Sequence, residues 1–234
     1  MKKTFLLFHL ALAARVCAAQ IDHTPVYTVV LDSHRCLIVE PNHLPQNAPL
    51  VVLLHGAHGS ATSLVYLWSE LHLPPARVAC PDGLFFLEGK GFGWYHKESQ
   101  SDIVQSRDYL LKLVQRLGPK RPVIFAGLSQ GAVMSIITGL HCPNKVLAIV
   151  SISGYVPNPS ENLRDLKAPR STPILMVHGQ ADATIPIADA HWGETNLKAQ
   201  GYHPVFKTFA MGHSTSQASL NSVRDFLMEV LSRN

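Results

Sequence analysis

One stretch of the chain pairs a nucleophile with the backbone geometry needed to expose it. Residues 122–131 read Pro-Val-Ile-Phe-Ala-Gly-Leu-Ser-Gln-Gly. An apolar strand leads into Gly127-Leu128-Ser129-Gln130-Gly131, and a helical run from Ala132 to Thr138 comes next. A serine forced into a tight strand-to-helix turn needs small neighbours two residues away on each side, because the backbone folds sharply there to leave Oγ exposed. The short pattern alone also fits an ordinary glycine-bounded turn. The strand before it and the helix after it are what favour a nucleophile.

A serine hydroxyl is a weak nucleophile at neutral pH and needs a base, which in turn needs an orienting acid. In a strand-turn-helix arrangement these are expected in the order serine, acid, histidine, each just beyond a later strand. Behind the apolar run Ile174 to Val177 comes His178-Gly179-Gln180-Ala181-Asp182, which puts Asp182 in the acid loop. Behind Val205 to Phe209 comes Ala210-Met211-Gly212-His213, directly before the last helix, which makes His213 the base. His203 precedes its strand and belongs at the opposite edge. His178 lies at the correct edge but leaves His213 unexplained as its alternative. Asp165 and Glu161, in the loop after the strand ending at Ile152, remain alternatives for the acid. The run Leu50 to Leu54 enters His55-Gly56-Ala57-His58-Gly59-Ser60. A backbone N–H from this loop, that of Ala57, would pair with the N–H of Gln130 as an oxyanion hole, although His55-Gly56 also reads as a simple tight turn. Phe92, Trp94 and Tyr155, with Phe85 and Phe86, are candidate apolar walls of a substrate pocket, and His58 a candidate at its rim.

The elements that have to position these groups are readable from hydrophobic periodicity. Expected strands cover Val26–Leu31, Cys36–Glu40, Leu50–Leu54, Arg77–Cys80, Val123–Ala126, Val146–Ile152, Ile174–Val177 and Val205–Phe209. Many are continuous apolar runs, as strands buried on both faces of a parallel sheet are. Between Ser101 and Leu117 the residues Ile103, Leu110, Val114 and Leu117 recur at helical spacing before a Gly118-Pro119 stop. The last segment repeats this with Leu220, Val223, Phe226, Leu227, Val230 and Leu231 on one stripe. Strands alternating with helices predict an α/β fold with a mostly parallel sheet and helices on both faces, and such sheets place their chemistry at the carboxyl ends of the strands. The stretch between Ile152 and Ile174 has room for a loop but not for a large lid domain.

With 234 residues, 47% of them apolar and 15% charged, the chain has the composition of a core-rich globular domain rather than a disordered tail or coiled coil. No cofactor is expected. The histidines show no metal-binding spacing, and Cys17, Cys36, Cys80 and Cys142 contain no C-x-x-C pair. Gly89-Lys90-Gly91-Phe92-Gly93 is no nucleotide loop, since no strand leads into it and no suitably spaced helix comes after it. A nucleic-acid partner would require a basic stripe, which is absent from the sequence.

The first residues, MKKTFLLFHLALAARVCAAQ, carry two lysines, an apolar run and small residues before Gln20. This is the layout of a secretory signal, expected over residues 1–19, with one domain from 20 to 234. The run is about half the ~20 residues a bilayer span needs, so no transmembrane segment is expected after its removal. The destination would be the periplasm or outside the cell; an uncleaved amphipathic segment on a cytoplasmic protein is the alternative. Of the 20 Lys and Arg, three fall in this segment, leaving 17 against 16 Asp and Glu, so the apparent basicity belongs largely to targeting. Three cysteines would remain, enough for one disulfide.

Taken together, the chain from about residue 49 onward resembles the α/β-hydrolase superfamily, and within it the phospholipase/carboxylesterase family of lysophospholipases and acyl-protein thioesterases. The resemblance rests on Gly127-Leu128-Ser129-Gln130-Gly131-Ala132, Ser153-Gly154-Tyr155, His178-Gly179 with Asp182 and Ile185-Pro186, and Gly212-His213. Pro81-Asp82-Gly83 with Gly91-Phe92-Gly93-Trp94-Tyr95 after it is similar to the bacterial branch, where this stretch borders the site. The resemblance implies a Ser129, Asp182, His213 triad with Ala57 and Gln130 as oxyanion donors. It further implies hydrolysis of carboxylic esters or lysophospholipids, or alternatively of thioesters, while the lack of room for a lid between Ile152 and Ile174 favours accessible short or medium acyl chains. Ala57-His58-Gly59 departs from the Leu-Gly-Asp that often comes after His-Gly in the family, which alters the loop framing the acyl pocket. A non-catalytic binding module on the same fold is the reading from a different class; its usual mark, a lost triad residue or glycine, is absent.

Overall fold

The computed structural model describes residues 25–233 apart from Lys90 and Glu98. The expected leader, residues 1–19, lies outside the described residues. Eight strands form one sheet: β1 (Val26–Leu31), β2 (His34–Val39), β3 (Leu50–Leu54), β4 (Arg77–Pro81), β7 (Val123–Leu128), β8 (Val146–Ile152), β9 (Ile174–Gly179) and β10 (Val205–Phe209). A separate short hairpin pairs β5 (Phe85–Phe86) with β6 (Phe92–Gly93). The order across the main sheet is β1-β2-β4-β3-β7-β8-β9-β10, and β2 alone runs against the others. All residues of β3, β8 and β9 are buried, which is why these strands read as unbroken apolar runs instead of alternating ones. The edge strands β1 and β10 keep half-exposed patterns.

Parallel neighbours need crossovers, and the helices supply them on both faces. On one face α2 (Gln100–Leu117), α3 (Gln130–His141) and α5 (Ile187–Ala199) cover a core that includes Ile38, Leu50, Phe125 and Ile149. On the other, α1 (Leu67–Glu70) and α6 (Gln217–Ser232) cover Leu53, Ala126, Val150 and Leu175. The connection between β8 and β9 holds only the four-residue α4 (Pro159–Asn162), so no lid domain covers the carboxyl edge of the sheet.

The closest backbone approach lies where β7 turns into α3. A Cβ on Gly131 would stand 2.0 Å from the Leu54 carbonyl oxygen and 2.6 Å from that of His55; one on Gly127 would stand 2.3 Å from the Gly131 oxygen. Neither glycine has room for any side chain, and in both cases the obstacle is backbone. Gly131→Ala should therefore lower stability by about 3 kcal/mol or more, the upper range for overpacking a rigid site. The measurement is the urea midpoint against wild type, and an unchanged midpoint would contradict the close approach.

Candidate active site

Ser129 stands between β7 and α3 with φ +56° and ψ −121°, a conformation that L-residues rarely adopt. It is held there because its N–H donates to the Ile152 carbonyl (2.9 Å) while the Ser129 carbonyl already accepts from Ala132 and Val133 in the first helical turn. Sheet and helix thus fix both sides of the bend. His213 lies beyond β10, and its Nε2 is 2.9 Å from Ser129 Oγ. Its Nδ1 lies 2.8 Å from Oδ2 of Asp182, in the loop after β9. The carboxylate accepts the Nδ1 proton, which leaves Nε2 bare to accept from the serine hydroxyl. Asp182 Oδ1 in turn accepts from the N–H groups of Thr184 and Ile185, both at 2.9 Å. Burial pushes the Asp182 carboxyl up, but the N–H of Ile185, the His213 ring and the N–H of Thr184 outweigh it, so the group is held below the ordinary aspartate value and stays ionised.

The loop after β3 faces this constellation. A Cβ on Gly56 would lie 3.3 Å from Ser129 Cβ and 4.0 Å from Oγ, so the loop backbone lies against the serine. His55 is buried and accepts from the Gly83 N–H at Nε2 (3.0 Å), which puts its proton on Nδ1, where it donates to the Gly56 carbonyl (2.7 Å). Burial lowers the pKa of this ring, against the pull of the Gly56 carbonyl and Asp82, and so favours the neutral form. Gly59 N–H donates to the same Gly56 oxygen (3.1 Å). Because a trans peptide points its C=O and N–H in opposite directions, holding the Gly56 carbonyl inward turns the Ala57 N–H outward. The N–H of Gln130, at the first position of α3, has no intrahelical partner. Among the described hydrogen bonds neither N–H is taken.

A model of the phospholipase/carboxylesterase family matches residues 34–231. The chain belongs to the phospholipase/carboxylesterase family. It is 30% identical over 163 residues to acyl-protein thioesterase 1 of Neurospora crassa, spanning 63% of this chain and 64% of that protein, so the match falls short of two thirds of the relative's length. A second relative, from Oryza sativa subsp. japonica, is 28% identical over 181 residues, covering 71% of this chain and 73% of its own, and is named a probable inactive carboxylesterase. Among solved structures, esterase PE8 superposes with a TM-score of 0.72 over 82% of this chain and 97% of that one, at 24% identity, a likeness of fold.

In this phospholipase/carboxylesterase chain the structure brings Ser129, Asp182 and His213 into one hydrogen-bonded line, with Ala57 and Gln130 beside the serine. Glu161, Asp165 and His203 are exposed and make no contact with the line. His178, a competing base in the sequence, sits on the same carboxylate. Its Nε2 donates to the Ile185 carbonyl (2.9 Å) and lies 3.4 Å from Asp182 Oδ2, while Nδ1 is buried without a partner. It braces the acid loop. Trp94 is fully buried: its indole N–H donates to the His55 carbonyl (2.8 Å) and its ring packs on the His55 ring. Phe92 and Phe86 meet edge to face on the β5–β6 hairpin, Phe85 contacts His96, and His58 is exposed at φ +63°. Tyr155 is half-buried against the core under α2 and α3.

Two side chains act here in ways that local sequence spacing does not encode. Gln130 ties the serine turn to the segment after β6, its Oε1 accepting from Trp94 N–H (2.9 Å) and its Nε2 donating to the Tyr95 carbonyl (3.0 Å). Asp82, buried, accepts from the Ala61 N–H (2.6 Å) and from Arg35 (2.9 Å), anchoring the far end of the Gly56 loop. The Pro81-Asp82-Gly83 motif marks this place in the sequence but not its partners.

Since the Asp182 pKa is depressed in the folded chain, its share of stability is complete above the unfolded value of about 3.9 and is lost as pH falls through the folded value. Urea unfolding of wild type and Asp182→Asn should show a stability gap that is constant above about pH 5 and closes below about pH 4. A gap independent of pH would mean that the carboxylate is not held by these donors.

Proposed function

We propose that the chain is a serine hydrolase of carboxylic esters working through an acyl-enzyme on Ser129. The observation that carries this reading is the unbroken line from the buried Asp182 carboxylate through His213 to the strained Ser129, at 2.8 Å and 2.9 Å. Ser129 Oγ attacks the ester carbonyl carbon as its proton passes to His213 Nε2. The negative oxygen that results accepts from the N–H groups of Ala57 and Gln130, each donor contributing about 3 kcal/mol to the transition state. Collapse expels the leaving group, which takes the proton from Nε2. Water, deprotonated by the same nitrogen, then attacks the acyl ester and frees the acid. Asp182 stays ionised and stabilises the imidazolium at each step.

The substrates supported are small esters of short or medium acyl chains and lysophospholipids, since the β8–β9 connection holds nothing larger than the four-residue α4. Thioesters are the second reading, favoured by the name of the Neurospora crassa relative. The same line of residues serves both, because the proton that Nε2 takes from Ser129 passes to the departing alkoxide or thiolate alike, which frees Nε2 to deprotonate water. Residues 1–19 are proposed as an export leader on their charge and apolar layout. No helix among the described residues is long and apolar enough to cross a membrane.

A fluorophosphonate probe should label Ser129 in folded protein, and Ser129→Ala should lose the label and at least about 10⁴-fold of kcat/KM on acyl esters and thioesters. Folded wild type that neither takes the label nor turns over the panel would instead be a binding module.

A further inference from the structure

We propose that a cavity at the amino edge of the sheet is a second binding site, for a medium-chain carboxylate. It lies at the pole opposite the triad. Pro49 and Pro122, which line it, come just before β3 and β7, whereas Ser129 comes just after β7, roughly 20 Å along the strand. No triad residue takes part, so the site stands whether or not the hydrolase reading does. The cavity has a volume of about 580 Å³, inside the range of about 300–1,000 Å³ of small-molecule sites.

The order of the strands gives the site its polarity. β4, β3, β7 and β8 are consecutive neighbours in the sheet, and the segment before each contributes to the lining. Pro74 and Pro75 stand before β4, Ala48 and Pro49 before β3, Lys120 and Pro122 before β7, and Lys145 before β8. The two lysines thus belong to the β7/β8 end, and the β4/β3 end is proline and alanine. Three strand spacings span about 14 Å, the extended length of a carboxylate of about ten carbons. From α6, Met228 and Leu231 form a side wall, and Met228 is 44% exposed, which leaves apolar surface for a hydrocarbon to cover.

Between its ends the lining offers few hydrogen bonds. A proline has no N–H to give. The carbonyls of Pro49, Pro122 and Pro45 already accept from the N–H groups of Arg77 (3.1 Å), Leu50 (2.9 Å) and Ala48 (3.0 Å), and that of Pro74 accepts from the Trp68 indole (2.9 Å). The polar residues Gln46, Asn47 and Ser232 are exposed at the rim, and the Ser232 hydroxyl donates to the Glu229 carbonyl (2.8 Å). Among the described residues, Lys120 and Lys145 bring the only charges to the lining, and both are positive. An anion with a hydrocarbon body meets both conditions. An acidic peptide meets only the first, since its own N–H and C=O groups would lie buried along prolines that cannot pair them.

The experiment photolabels the full chain with a decanoate that carries a diazirine near its methyl end. Irradiation expels dinitrogen, and the carbene inserts into the residues beside the tail, which tandem mass spectrometry locates. Saturable adducts are expected at Pro74–Pro75 and at Met228–Leu231. Unlabelled octanoate should compete for them about tenfold more weakly than decanoate, since each methylene removed from water contributes about fourfold. Decanol should also compete about tenfold more weakly, because each exposed ion pair contributes up to about fivefold. Lys120→Gln combined with Lys145→Gln should weaken the labelling by a similar factor and leave any adducts near Ser129 unchanged. Both lysines are exposed, so the fold tolerates their replacement. Adducts confined to other residues, competition that ignores chain length, or decanol as effective as decanoate overturns the inference. So does an acidic hexapeptide that displaces the label at a lower concentration than decanoate.

Discussion

The first turn of α3 lies so close to the end of β3 that backbone meets backbone, and the geometry of the carboxyl edge depends on that contact. At Gly131 the missing Cβ would be 2.0 Å from the Leu54 oxygen. With the helix seated at that depth, its N-terminus opens beside Gly56, and Ser129 is bent into positive φ because the strand behind it and the helix ahead leave no other path. The strain at one residue, of order 1–3 kcal/mol, is stable only because fully buried elements on both sides over-determine it. The exposed hydroxyl is therefore a product of core packing. Removing apolar contact from β3, β7 or α3 would relax the bend and with it the placement of Ser129.

The second requirement is that polar groups around the bend be satisfied without charge. His55 shows how this is done. It takes a backbone N–H on one nitrogen and gives a proton to a backbone carbonyl from the other, so it joins the Gly56 loop to Gly83 while remaining neutral. Trp94 and Gln130 extend the same tie across to α3. An ionised group in these places would compete with Asp182 for the His213 proton. The one buried carboxylate nearby, Asp82, is neutralised by Arg35 and occupied by Ala61. The net effect is a site in which Asp182 is the charge that His213 faces, oriented by three N–H donors, those of Thr184, Ile185 and His213.

Each feature was legible in the sequence to the extent that its cause is local. The strands β3, β7, β8 and β9 announce themselves because burial on both faces demands continuous apolar runs, and the site residues are found in the loops at the carboxyl ends of those runs. That rule selects His213 over His203 from chain order but leaves Asp165 and Glu161, which also come after the carboxyl end of a strand, as alternatives for the acid; only the contact with His213 singles out Asp182. The helix α5 gives no such signal: it buries only Ala190, Gly193 and Leu197, small or solitary contacts that leave no hydrophobic stripe. The β5–β6 hairpin is two residues a side and depends on Gly91, whose φ of +112° lets it press against the His58 carbonyl. Trp94 reads as an aromatic wall because its hydrogen bonds to His55 and Gln130 cross 39 and 36 residues of sequence. Partners that distant leave no periodicity behind.

The cysteines show the same distinction between counting residues and placing them. Three thiols in a chain with an export-like start suggest an unpaired, reactive leftover. Cys36 and Cys80 are neighbours in the β2–β4 register, yet Cys36 belongs to the core under α2 and α3 and Cys80 to the core under α1 and α6, so the sheet itself stands between them. Cys142 is buried at the end of α3. Burial raises all three, Cys80 to about 12 and Cys142 to about 11, and a thiol kept protonated and dry is neither nucleophile nor ready partner for exchange. Oxidation of such a thiol requires the core to open first, so its rate is set by the stability of the fold rather than by the redox potential outside. An odd number of cysteines therefore weighs nothing against an oxidising destination for this chain, because the thiols are spent as apolar core atoms.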